Sequence, residues 1–227
     1  MDECGVKKRP ASGTMVQIAV SMAGADLAHL GDVFSALKAS GCGAVHLEVR
    51  DGHFAGDVAM GPPVIQSIRK AWADLWIDVH LLVERPERYF AEFRAAGADR
   101  VLIHPESTPR LGFALQMAAH EGIRAGVVLA PAVPVEVVEG VLEGLDAVVV
   151  LGAEPDEDAP VWSRQATRKL RVLSERKNSG GLQYKLQAKL ADRNHADEIR
   201  AAGADLLVVS AGSILADGMA VFAGTRD

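Results

Sequence analysis

Short apolar runs rich in Val, Ile and Leu recur along the 227 residues, separated by longer amphipathic segments. The runs span 16–21, 44–49, 76–83, 100–103, 125–129, 147–151, 184–188 and 206–210. Each has the length and β-branched content of a buried strand. Helical patterns lie between them at 26–40, 62–73, 86–96, 109–121, 134–140, 163–177 and 196–202. Pro62, Pro86, Pro109 and Pro134 suit the first turns, where a missing N–H costs nothing. Strands that alternate with helices must pair in parallel, and eight such repeats favour closure over an open sheet. The expected fold is α/β, a (β/α)8 TIM barrel, with a doubly wound open sheet as the alternative. A barrel of this kind needs roughly 200–250 residues, so one domain accounts for the length.

An internal repeat supports this architecture. Arg94-Ala-Ala-Gly-Ala-Asp99 returns as Arg200-Ala-Ala-Gly-Ala-Asp205, each copy running into a strand. The glycine of each copy can end a helix in a left-handed turn. Gly41, Gly122 and Gly144 are read the same way. Residues 1–14 are polar and read as a flexible tail, leaving 15–227 as the barrel domain.

Composition excludes several classes. The net charge is −6, and Lys7-Lys8-Arg9 is the longest basic run, which argues against nucleic-acid and anionic-membrane partners. No stretch reaches about 18 uncharged apolar residues, and the N-terminus lacks an apolar leader core. Two cysteines, Cys4 and Cys42, do not make a disulfide framework. A cytoplasmic setting is expected.

Active sites of such barrels lie at the C-terminal ends of the strands. On the second strand His46 and Glu48 are one residue apart, so both face the interior. On the third, Asp78 and His80 repeat the spacing. His46, Glu48 and His80 can converge as two imidazoles and a carboxylate, a donor set for one divalent metal ion, Zn, Mn or Fe. Asp78 would then orient a ligand from behind. From spacing alone, two hydrogen-bonded core histidines fit equally well. His104 and Glu106 close the fourth strand at the same rim, either as substrate contacts or as a capped turn. Ser21 ends the first strand and points to the same mouth. Asp51-Gly52-His53 suits a structural turn. His29, His120 and His195 fall on helical segments and read as surface residues.

These residues carry a likeness. Ile18-Ala-Val-Ser-Met22, His46-Leu-Glu-Val-Arg-Asp-Gly-His-Phe54, Gly61-Pro-Pro-Val64, Asp78-Val-His-Leu-Leu-Val83, His104-Pro-Glu106 and Gly126-Val-Val-Leu-Ala-Pro131 resemble the ribulose-phosphate 3-epimerase family. The likeness runs from about Val16 to Leu215. The spacing of the second half is also similar to allulose-6-phosphate 3-epimerases. The resemblance implies a barrel of the ribulose-phosphate-binding type and a small sugar or sugar-phosphate substrate. It implies a proton removed beside a ketose carbonyl and returned on the opposite face, with a divalent metal stabilising the enediolate. It makes His46, Glu48 and His80 metal ligands, Glu48 the catalytic base, and a homo-oligomer an expectation. Ser21, His104, Glu106, Ser210, Gly212 and Ser213 would contact substrate.

The second half departs from the family pattern. Where the seventh strand should end in Val-Asp-Gly-Gly, the carboxylate position falls on Ala188 or Lys189, and Asp192 is the nearest acid. After the sixth strand, phosphate-binding glycines give way to Glu154-Pro-Asp-Glu-Asp-Ala-Pro160. Acids there would repel a phosphate dianion, unless the loop turns to solvent. After the eighth strand, Ser210-Ala211 replaces Gly-Ser/Thr, unless Gly212-Ser213 substitutes by a shift. Three readings remain open: a sugar epimerase or isomerase, a metal-dependent enzyme repurposed around the single base Glu48 (enolisation, aldol cleavage or dehydration), and a non-catalytic homologue binding a ligand or partner.

Overall fold

In a computed structural model of the chain, which describes residues 17–155, 162–190 and 194–212, the apolar runs become eight strands. They are β1 (Gln17–Ser21), β2 (Ala44–Asp51), β3 (Trp76–Leu82), β4 (Arg100–Ile103), β5 (Arg124–Leu129), β6 (Ala147–Leu151), β7 (Lys185–Leu190) and β8 (Leu206–Ser210). All eight pair in parallel with their neighbours. Pairing of β1 with β2 as well as β8 closes the sheet into a (β/α)8 TIM barrel.

Two strands, β2 and β7, run two residues past their expected ends. β2 continues to Asp51 because Arg50 and Asp51 pair with a two-residue antiparallel strand, Val58–Ala59. β7 starts at Lys185 and continues to Leu190. Tyr184 lies before it, fully buried, with its hydroxyl donating to the Leu173 carbonyl at 2.7 Å. The register of β7 against β6 and β8 sets which of its side chains face inward.

The helices are α1 (Leu30–Ala39), α2 (Pro62–Ala71), α3 (Phe90–Ala96), α4 (Leu111–His120), α5 (Arg164–Ser179) and α6 (Ala196–Ala201). Pro62 opens α2 as expected. Pro86 instead opens a 3-10 turn ahead of α3, and Pro109 lies before the Arg110 cap of α4. The segment after β5 is a 3-10 helix, Val135–Gly144, with Pro134 as its cap. Four valines and two glycines in its ten residues weaken α-helix propensity, yet Val135, Val138 and Leu142 still bury. Gly144 ends that helix and is not among the glycines with positive φ.

Alternation divides the core. Outward side chains such as Val45, Leu47, Ile77, Val79, Val148 and Leu207 pack beneath Phe34, Ile65, Phe90, Phe93, Leu170 and Ile199 of the helices. The barrel interior holds two smaller apolar clusters. One is Ala19, Ala44, Trp76, Leu206 and Val208, and the other is Leu102, Val128, Ala147, Val149 and Leu151. His46, Glu48, Asp78, His80, Arg100 and Gln187 are buried polar residues on the same strands.

Both copies of the repeat do the same work. Gly97 caps α3 and Gly203 follows α6, each at φ +99°. A Cβ at Gly97 would lie 2.6 Å from Arg69 Cγ, and one at Gly203 would lie 2.1 Å from Ser174 Oγ. Asp99 accepts from the Ile77 N–H at the start of β3 and from Arg69 of α2. Asp205 accepts from the Leu186 N–H at the start of β7 and from Lys177 of α5. Each aspartate thus ties a helix end to the foot of a neighbouring strand.

Candidate active site and metal centre

The ladder between β2 and β3 sets His46 against Asp78 and Glu48 against His80. All four side chains are buried. Ligand atoms of His46, Glu48 and His80 lie within 4.8 Å of one another. His46 Nε2 is 3.3 Å from His80 Nδ1, and Glu48 Oε1 is 3.9 Å from the same nitrogen. Two nitrogen ligands about 2.0–2.1 Å from a tetrahedral ion stand ~3.3 Å apart, so the imidazole pair fits a divalent metal. Burial, reinforced by Lys189 and Arg100, holds His46 well below the ordinary histidine range. Burial, with His104, His46 and Arg50, does the same for His80. Both rings are therefore neutral at pH 7, the form that ligates.

His104 supplies the support that spacing assigned to Asp78. Its Nε2 is 2.9 Å from His80 Nε2, and the two rings stack with centroids 5.1 Å apart. If His80 Nδ1 faces an ion, its proton must sit on Nε2 and donate to His104. Asp78 is engaged elsewhere, by Trp76 Nε1 and the Arg100 guanidinium. Arg100 also reaches Asp146 at 3.0 Å. The second carboxylate of the expected cluster therefore belongs to an ion network. Its partner Arg100, itself an inward residue, escaped the sequence reading; a lone charge opening an apolar run was the available signal.

Two cations bear on Glu48. The Lys189 ammonium is in contact with Oε1. Arg50 NH2 lies 3.4 Å from Oε2, while the same guanidinium donates to Asp57 at 2.7 Å and to the Pro155 carbonyl at 2.8 Å. Arg50 was missed in the sequence, although it continues the 46, 48 alternation. The β6–β7 register pairs Leu151 with Lys189, which puts Lys189 inside and Ala188 outside. Burial pushes Lys189 down to about 8, so it remains mostly charged at neutral pH. β7 carries no carboxylate.

Ser21, Glu48, Arg50, Glu154, Lys189 and Ser210 all line one cavity of about 310 Å³ at the strand ends. Ser21 and Ser210 are directly paired across β1 and β8. His104 is buried beside His80, whereas Glu106 lines an adjoining hollow shared with Glu154. Gly212 is exposed just past β8. Ser213, Asp192 and the acids Asp156, Glu157 and Asp158 lie outside the described residues. Asp51 is the last residue of β2, and its carboxylate caps the turn that follows. Burial would raise its carboxyl, but N–H groups of Glu84, His53 and Phe54 hold it below the usual range. His29, His120 and His195 lie at the surface. No helix of the described residues is long and apolar enough to cross a membrane.

The profile of the Ribulose-phosphate 3 epimerase family matches residues 17–215. The chain is 34% identical to ribulose-phosphate 3-epimerase of Escherichia coli over 201 residues, 88% of each protein. It is 38% identical to that of Bacillus subtilis over 141 residues, 62% of this chain and 64% of the relative. Among solved structures, the tryptophan synthase alpha-subunit of Pyrococcus furiosus superposes with a TM-score of 0.63. The match covers 91% of this chain and 93% of that one at 18% identity, a likeness of fold alone. With the family profile matching most of the chain and a relative 34% identical over 88% of each protein, this chain belongs to the ribulose-phosphate 3-epimerase family.

Proposed function

We propose that the protein is an epimerase or isomerase of a ketose or ketose phosphate, with Glu48 taking the proton beside the carbonyl. The convergence of His46, Glu48 and His80 at the mouth of the barrel carries this reading. These three residues would hold one divalent ion, of zinc, manganese or iron. Such an ion supplies Lewis acidity to the substrate oxygen next to the carbon that loses its proton. His104 orients His80, and the Ser21 and Ser210 hydroxyls, on β1 next to β2 and on β8 next to β1, would position the sugar from beside the cluster. The family pattern that this segment resembles reads His-x-Asp where this chain has His46-Leu-Glu48, and the extra methylene of Glu48 carries its oxygens ~1.5 Å further. Glu154 on the cavity wall would repel a phosphate dianion, while Arg50 and Lys189 on the same wall would attract one, so phosphorylated and unphosphorylated ketoses are both candidate substrates.

One observation favours a second reading, a non-catalytic homologue: β7 presents Lys189 where a second acid would return the proton. Solvent exchange separates the two. Proton NMR in D₂O, with Zn²⁺ or Mn²⁺ present, follows the C3 proton of ribulose 5-phosphate, ribulose and fructose. Loss of that signal from at least one ketose is expected, since enolisation needs only one base. Full retention in all three, with saturating protein, would leave the second reading.

A further inference from the structure

We infer that Lys189 is a tethered cation standing in for a divalent ion at Glu48, so that metal must displace its ammonium to enter. The inference rests on the metal-dependent reading above. Lys189 is the penultimate residue of β7, locked in register between Leu151 of β6 and Val208 of β8. That register aims its side chain into the barrel, where the ammonium meets Glu48 Oε1. Glu48 contributes the carboxylate of the His46, Glu48, His80 cluster. Its other oxygen faces Arg50, whose guanidinium is fixed by Asp57 and the Pro155 carbonyl.

The charge of Glu48 is therefore balanced before any ion arrives. Glu48 is 5% exposed, so little water intervenes to screen a second cation. An ion held by His46, Glu48 and His80 would need the same oxygen and would sit beside a like charge. The contest is reversible because lysine ends a flexible four-carbon stem, and this one is a fifth exposed to the cavity. Lys189 therefore sets the metal affinity without closing the site.

Calorimetric titration of the metal-stripped full chain with ZnCl₂, and separately with MnCl₂, tests this. K189M removes the charge and keeps the stem, while K189R keeps the charge. The expected result is at least tenfold tighter binding by K189M, about 1.4 kcal/mol, and no gain by K189R. The gain should vanish when H46A and H80A are added. Thermal melting checks that each variant is folded, and K189Q replaces K189M if the latter is not. Equal affinity in the parent and K189M would overturn the tethered cation while leaving the metal reading intact. Absence of binding in both would overturn the two together.

Discussion

Lys189 on β7 and Glu48 on β2 meet across the mouth of the barrel as an ion pair, beside the two imidazoles that would share a metal with Glu48. A carboxylate placed to remove a proton is thus already neutralised by a neighbouring strand. This relationship separates the chain's expected behaviour from that implied by its relatives.

The His46–His80 pair should be indispensable for metal. Parent protein loaded with Zn²⁺ and dialysed is expected to keep close to one ion per chain, and H46A/H80A to keep none, by elemental analysis. A double variant that holds metal as well as the parent would place the site elsewhere.

Turnover of ribulose 5-phosphate should be poor. Loss of one of two acid/base groups costs roughly 10²–10⁴-fold. In a coupled assay run beside the Escherichia coli relative, a deficit of that size is expected. Comparable rates would mean that another group has replaced the second acid.

Acids on the loop after β6 should weaken phosphate. Glu154 lines the cavity, and Asp156, Glu157 and Asp158 follow it in the chain. Changing those three to Gly-Phe-Gly is expected to tighten ribulose 5-phosphate binding about tenfold by calorimetry, since relief of repulsion between partly screened charges is worth on the order of 1 kcal/mol. An unchanged affinity would assign the run to the solvated surface.

Removing Arg100 should destabilise the barrel. R100M leaves Asp78 and Asp146 without their shared guanidinium, and Asp78 is fully buried. Breaking a buried pair in this way costs about 3–5 kcal/mol. Urea unfolding of the metal-free protein measures it, and a loss below about 1 kcal/mol would show that water or Arg124 compensates.

Alkaline stability should depend on Tyr184. Burial raises its phenol from the ordinary 10 to about 12. A raised folded value means that the folded state keeps the proton longer. The contribution is therefore complete below pH 10 and is lost as pH rises through 12. Y184F gives up the bond to Leu173 at every pH but should flatten the fall in melting temperature between about pH 10 and 12. An equally steep fall in the variant would assign alkaline unfolding to other groups.

Strand number, strand order in the chain and the inward pair His46 and Glu48 were all legible in the residues, because they depend on local periodicity and on turns one residue can make. The repeated Gly97 and Gly203 announced two helix ends for the same reason: only a residue without Cβ sits easily at φ +99°. The partners of the inward residues were not legible. Asp78 read as support for a metal ligand, yet it belongs to Arg100, 22 residues further on, while His104 took the supporting role. Whether Ala188 or Lys189 faces the site hung on one residue of register, and such a slip turns every side chain of a strand to the other face. Register in β7 is set by β6 and β8 on either side and by closure of the whole ring. The charge that meets Glu48 was therefore decided by tertiary structure, through hydrogen-bonded ladders between segments far apart in the chain.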